Sequence, residues 1–138
     1  MFDVRYWLYL DWGRAEDGDN LVAMELMSSV PFVPADGCRV RIRGNFVSRV
    51  VGVVWDDYRK SLDVQISDIK VKDVDAAAKR FRSMFCAGWN IVRVHGWHPD
   101  LTRAEYSGLH RFRINGNIMA ADDDEYELLS RAGVGEEI

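Results

Sequence analysis

Cysteine and histidine are scarce in this chain, long apolar runs are missing, and neither charge sign dominates. Only Cys38 and Cys86 are present. Neither stands in a CxxC pair, which excludes a zinc finger and a thioredoxin-like redox motif. Set among apolar neighbours, both read as reduced residues packed like small hydrophobes. No apolar run approaches the roughly 20 residues a membrane helix needs. The N-terminal Met-Phe-Asp-Val-Arg has no basic region leading into an apolar stretch, unlike a secretory signal. A cytoplasmic protein without a membrane partner is the expectation. Lys and Arg total 18 against 22 Asp and Glu, a net charge of -4. A general nucleic-acid binder neutralises phosphates and carries the opposite balance, although a local basic patch is still compatible with these totals. Spacings such as HExxH or HxH are absent, the acidic stretch 16–19 does not fit the calcium-loop pattern, and no nucleophile has a partnered base. The residues point to a non-enzymatic protein with no cofactor.

What is there is one domain's worth of chain rich in aromatics, with five Trp, five Tyr and six Phe in 138 residues. A chain of this length buries roughly two-thirds of its unfolded surface and folds without staples. Residues 31–71 organise it. Apolar runs at 40–42, 46–55 and 62–69 are separated by Gly44-Asn45 and by the polar cluster 56–60, the pattern of a three-stranded meander. The run 46–55 is apolar in both phases and reads as a strand covered on both sides, bent at Gly52. The phase breaks again at Ser67-Asp68, a bulge or a strand end. Together these predict a strongly curled sheet or a small SH3-like barrel.

Before the meander, residues 2–10 and 21–28 alternate apolar and polar side chains and predict an antiparallel hairpin with a ten-residue acidic tip. Pro31 and Pro34 stop strand pairing, and Asp36-Gly37 turns the chain into the meander. After it, Val74, Ala78, Phe81 and Phe85 mark the apolar face of a helix over 74–87, capped by Asp73 or Asp75 and stopped at Gly88. A C-terminal segment, 89–132, follows. It comprises a strand over 89–97, a short helix from about 102 to 109, a hairpin around Asn115-Gly116, and a helix over 123–132 opened by an acidic run and followed by a frayed tail. The predicted architecture is α+β. It has a curled, mostly antiparallel sheet, one main amphipathic helix filling its hollow side, and a short C-terminal helix.

Three constellations could carry function. The acidic tip residues Glu16, Asp17 and Asp19, with Trp7, Tyr9 and Trp12 beside them, form a docking surface for another protein, since Trp and Tyr on an outward face mark binding hot spots. Arg39, Arg41, Arg43 and Arg49 could follow a phosphate backbone, with nearby aromatics for stacking. Their geometry depends on the Gly44-Asn45 turn. A two-residue loop moves Arg49 to the face of Val40 and Ile42, whereas a three-residue loop gathers the arginines on one face. Repulsion favours the two-residue register unless an anion is bound, with the arginines solvated and paired with Asp63 or Glu25. His95, His98 and His110 are the only set that could hold a metal or ligand, although a regular strand points the first two to opposite faces. The reading these residues favour is a small protein-binding domain. It would be an inhibitor or accessory factor of the phage or mobile-element type, with a homodimer also open. A nucleic-acid-binding module is the first alternative and a His-based metal or ligand site the second.

Overall fold

The computed structural model of the chain describes residues 1–15, 18–43, 46–92 and 110–138. Strand β1 (Phe2–Ala15) buries Val4, Tyr6, Leu8, Leu10 and Trp12 on one face, as its period of two requires. It pairs antiparallel with β2 (Gly18–Val30), and Arg14 lies opposite Asp19 and Ala15 opposite Gly18 beyond a register shift at Asp11. The stretch expected as a ten-residue loop is therefore mostly ladder. Ladder bonds need only backbone groups, so polar residues extend a ribbon as readily as they end it.

The meander forms as β3 (Arg39–Ile42), β4 (Phe46–Asp56) and β5 (Ser61–Ile66), followed by the short β6 (Ile69–Lys70). A bulge between Val50 and Gly52 bends β4, so that its first half pairs with β3 and its second half with β5. The phase break at Ser67-Asp68 separates β5 from β6. Both lie parallel to β1, at Val4–Trp7 and at Leu10–Asp11 respectively. Strand order is β3-β4-β5-β1-β2, with β7 (Asn90–Ile91) beyond β2. The sheet is open, with β3 and β7 at its ends, so the barrel form is not reached. Coverage of β4 on both faces is also not found. Val47 and Val51 are exposed, Val54 is 64% and Trp55 54% exposed, and only Val50 is fully inside. The bulge turns Val54 outward beside Asp63 and leaves Val53 and Trp55 in the phase of Val64 and Leu62, and no described helix lies over the outer side.

Helix α1 (Val74–Cys86) begins at Asp73, whose side chain accepts the Ala76 N–H at 2.8 Å. Its apolar face, Ala77, Ala78, Phe81 and Met84, is buried in the core against β1 and the C-terminal helix, with Phe85 stacked 5.9 Å from Phe81. Past Gly88, Trp89 is fully buried and its Nε1 donates to the Arg43 carbonyl at 2.8 Å, tying the β3–β4 turn to the helix end. Cys38 packs half-buried against the core, but Cys86 is exposed because it falls on the outer side of the last helical turn.

A second sheet holds β8 (His110–Ile114), β9 (Asn117–Ala121) and β10 (Glu136–Glu137). Asn115 and Gly116 both have positive φ, the conformation that a two-residue hairpin loop needs. Between β9 and β10 runs α2 (Asp123–Ala132), with Asp122 and Glu125 closing a reciprocal capping box. The tail does not fray. It pairs Glu136 with Arg113 and Glu137 with Phe112. Phe112, Met119, Leu128 and Leu129 join the same core as Leu8, Met24 and Phe81. The expected strand over 89–97 is described only at Asn90–Ile91, and the expected helix near 102–109 lies outside the described residues.

Candidate functional site

Every second residue of β1 faces away from the helices. On that outer face Trp7 and Tyr9 stand edge to face, with ring centroids 5.5 Å apart and planes at 87°. Both are half-buried. Trp12 is not part of this surface. It is 5% exposed and belongs to the core, because the ladder continues past Asp11 and keeps it in the phase of Leu10. Of the acidic tip, Glu16 and Asp17 lie outside the described residues, and Asp19 is placed only by its backbone pairing with Arg14. Next to Trp7, Arg5 is held between two carboxylates, 3.0 Å from Glu25 and 3.2 Å from Asp63.

That arrangement corrects the reading of the arginine strand. Glu25 and Asp63, the expected partners of the β3–β4 arginines, are occupied by Arg5. The register is also not the favoured one. Ile42 pairs with Phe46 across a three-residue turn, so Arg39 lies directly opposite Arg49 and Arg41 opposite Val47. Ile42 decides this. Its burial on the inner face forces Arg39, Arg41 and Arg49 together onto the outer one, and all three are exposed. Among the described residues no carboxylate pairs with any of them. Arg43 leaves the row. Its guanidinium lies against Gly88 just past the end of α1, where the helix dipole favours a cation.

Two cavities open near these groups. One, of about 510 Å³, is lined by Asp3, Arg5, Ser29, Arg43, Lys60 and Ser61, among others. Most of its cations are already engaged, Lys60 with Asp57 at 2.8 Å and Arg5 as above. The buried Ser61 hydroxyl there has no hydrogen-bond partner. The other, of about 420 Å³, lies where β4 and β6 diverge, with Arg39, Ser48, Arg49, Ser67, Asp68 and Arg80 on its walls. Ser67 N–H still bonds to the Arg49 carbonyl at 3.0 Å, and beyond that link the strands part. Arg80 comes up from α1 with its guanidinium 5.3 Å from the centre of the Phe46 ring, and its buried Nε has no partner. Nothing local in the sequence marks Arg80. It sits among Lys79 and Arg82 on the polar side of the helix, and only the packing of α1 under β4 brings it to Arg49.

His110 is stacked on Tyr126 with centroids 3.9 Å apart, and its Nε2 is 3.0 Å from the Asp123 carboxylate. Among the described residues no group of three His, Cys, Asp or Glu side chains is placed to hold a metal. His95 and His98 lie outside the described residues. The acidic run at 122–125 acts as a cap. Asp122 accepts the Glu125 N–H at 2.8 Å, and Glu125 accepts the Asp122 N–H at 3.0 Å. Burial, ahead of the nearby Asp122 and Asp124 charges, pushes the Glu125 carboxyl up to about 7. Among the described residues no helix is long and apolar enough to cross a membrane. Comparison with protein-family models, with curated proteins and with solved structures returned no match.

Proposed function

We propose that this protein is a non-enzymatic binding module that docks on another protein through the outer face of its sheet, as an inhibitor or accessory factor. The observation that carries this reading is the one-sided packing. The two helices bury the inner face, while the outer side presents the Trp7–Tyr9 pair and the exposed Val47, Val51 and Val54. A row of exposed valines beside aromatics and arginines has the composition of an interface core rather than of a solvated surface. The acidic tip, Glu16, Asp17 and Asp19, would add electrostatic steering. Affinity purification from the native cells, with mass spectrometry of what co-elutes, tests this. A protein retained by the wild type and lost by both Trp7→Ala/Tyr9→Ala and Val54→Asp is expected. Equal retention by both variants, or no partner and no self-association by light scattering, ends the reading.

A nucleic-acid partner is the second reading, favoured by the exposed arginines gathered on the outer face of β3 and β4. It requires affinity that falls steeply with salt and is lost in Arg41→Glu. A flat salt response removes it.

A further inference from the structure

We propose that the cleft between β4 and β6 binds a phosphate monoester, gripped by Arg39, Arg49 and Arg80. This goes beyond the docking reading and uses different residues from Trp7, Tyr9 and Val54.

Three guanidinium groups and one carboxylate, Asp68, line the cleft, a surplus of two positive charges. A phosphate monoester carries about two negative charges at neutral pH. Asp68 is partly occupied, since its Oδ1 accepts the Tyr9 N–H at 3.3 Å. Among the described residues, none of the three arginines has a carboxylate within ion-pair distance. The other cavity contrasts with this, because its Arg5 and Lys60 are neutralised in place.

Arg39 and Arg49 approach from the strands, and Arg80 comes from the helix on the other side of the sheet. They meet only because the strands part after Ser67. Guanidinium groups converging from separate elements suit a tetrahedral oxyanion, which accepts hydrogen bonds in several directions. Ser48 and Ser67 add two hydroxyls on the same walls. Arg80 Nε is buried with no partner, a donor that an oxyanion in the cleft would satisfy.

Arg39 opposite Arg49 is a like-charge cross-strand pair, which destabilises a sheet when no anion lies between the charges. The cleft, at about 420 Å³, has room for the phosphate and part of the group it esterifies, and lies within the ~300–1,000 Å³ range of small-molecule sites.

Isothermal titration calorimetry in a chloride buffer of low ionic strength tests the proposal. Inorganic phosphate, adenosine monophosphate and adenosine are the probes. Both phosphates are expected to bind saturably, one per chain, with Kd between tens of micromolar and about a millimolar, and adenosine not at all. If adenosine monophosphate binds more tightly than inorganic phosphate, the site takes an esterified ligand. If the two bind equally, it reads the phosphate alone. Arg49→Gln and Arg80→Gln should each weaken binding about tenfold, as loss of a charge-assisted hydrogen bond does. Arg43→Gln, outside the cleft, should leave it unchanged. Arg80→Gln also removes the contact with Phe46, so Arg49→Gln, an exposed strand residue, is the variant that cannot fail merely by misfolding. No saturable binding up to about ten millimolar, or unchanged affinity in both variants, overturns the site. So does binding seen only with oligonucleotides that lack a terminal phosphate, which would mean that the arginines track a backbone. The docking variants leave these titrations unaffected, so the two proposals fail separately.

Discussion

Arg5 shows how one side chain reorganises the charges around it. Its guanidinium bridges Glu25 on β2 and Asp63 on β5, all three largely shielded from water on the sheet's outer face. Arg5→Met leaves two carboxylates facing each other with their donors gone and should cost about 2 kcal/mol in a chemical melt. Replacing all three charges by apolar residues should cost less than the single change, and a larger loss in the triple variant would contradict this account. Glu125 is the second residue with a measurable signature. Its carboxyl is raised from 4.5 to about 7 by burial, so the folded chain keeps a proton that the unfolded chain releases. The stability this contributes is full below pH 4.5 and is lost as pH rises to about 7. Asp124, also raised by burial, acts in the same direction. Glu125→Gln keeps an oxygen for the Asp122 N–H and removes the titration. Thermal melts should then show a midpoint that falls across this window in the wild type and falls less in the variant. Parallel curves would show that Glu125 titrates without linkage to folding.

At the scale of elements, the β3–β4 ribbon sets stability against binding. Arg39→Glu places a carboxylate opposite Arg49 and should stabilise the fold by about 0.2–1 kcal/mol. The same change should weaken phosphate binding in the cleft. A destabilised variant would mean that the two residues are not the cross-strand neighbours their register makes them. The C-terminal strand tests packing instead. Gly135 has φ 75°, and a Cβ there would come within 2.7 Å of Ile114 Cγ1 and 3.0 Å of the Arg113 carbonyl. Gly135→Ala should therefore detach β10 and speed exchange of the Ile138 amide, which donates to the Arg111 carbonyl at 2.9 Å. Unchanged protection would mean that the tail can shift to make room.

For the whole molecule, a single hydrophobic core joins the two sheets and both helices. Phe81, fully buried at its centre, should cost about 3–5 kcal/mol on truncation to Ala. Unfolding should be one cooperative transition in calorimetry, and two resolved transitions would show that 110–138 folds on its own. Much of this plan could be read locally. Alternation in β1 and β2, the Asp73 cap, the apolar face around Phe81 and the Asn115-Gly116 turn each rest on contacts within a few residues. The placement of Trp12 could not be read that way, since its burial follows from a ladder that continues through a polar stretch.

Periodicity and turn chemistry, acting over short spans, were enough for the α+β class, the strands of the meander and the apolar face of the main helix. Packing alone chose the three-residue turn that brings Arg39 beside Arg49, exposed the valines of β4, and carried Arg80 from a helix to the strands. The reason is the two-residue period of a β-strand. A slip of one position exchanges its faces, so the side that meets the core, here through Ile42, decides which side chains remain free for a partner.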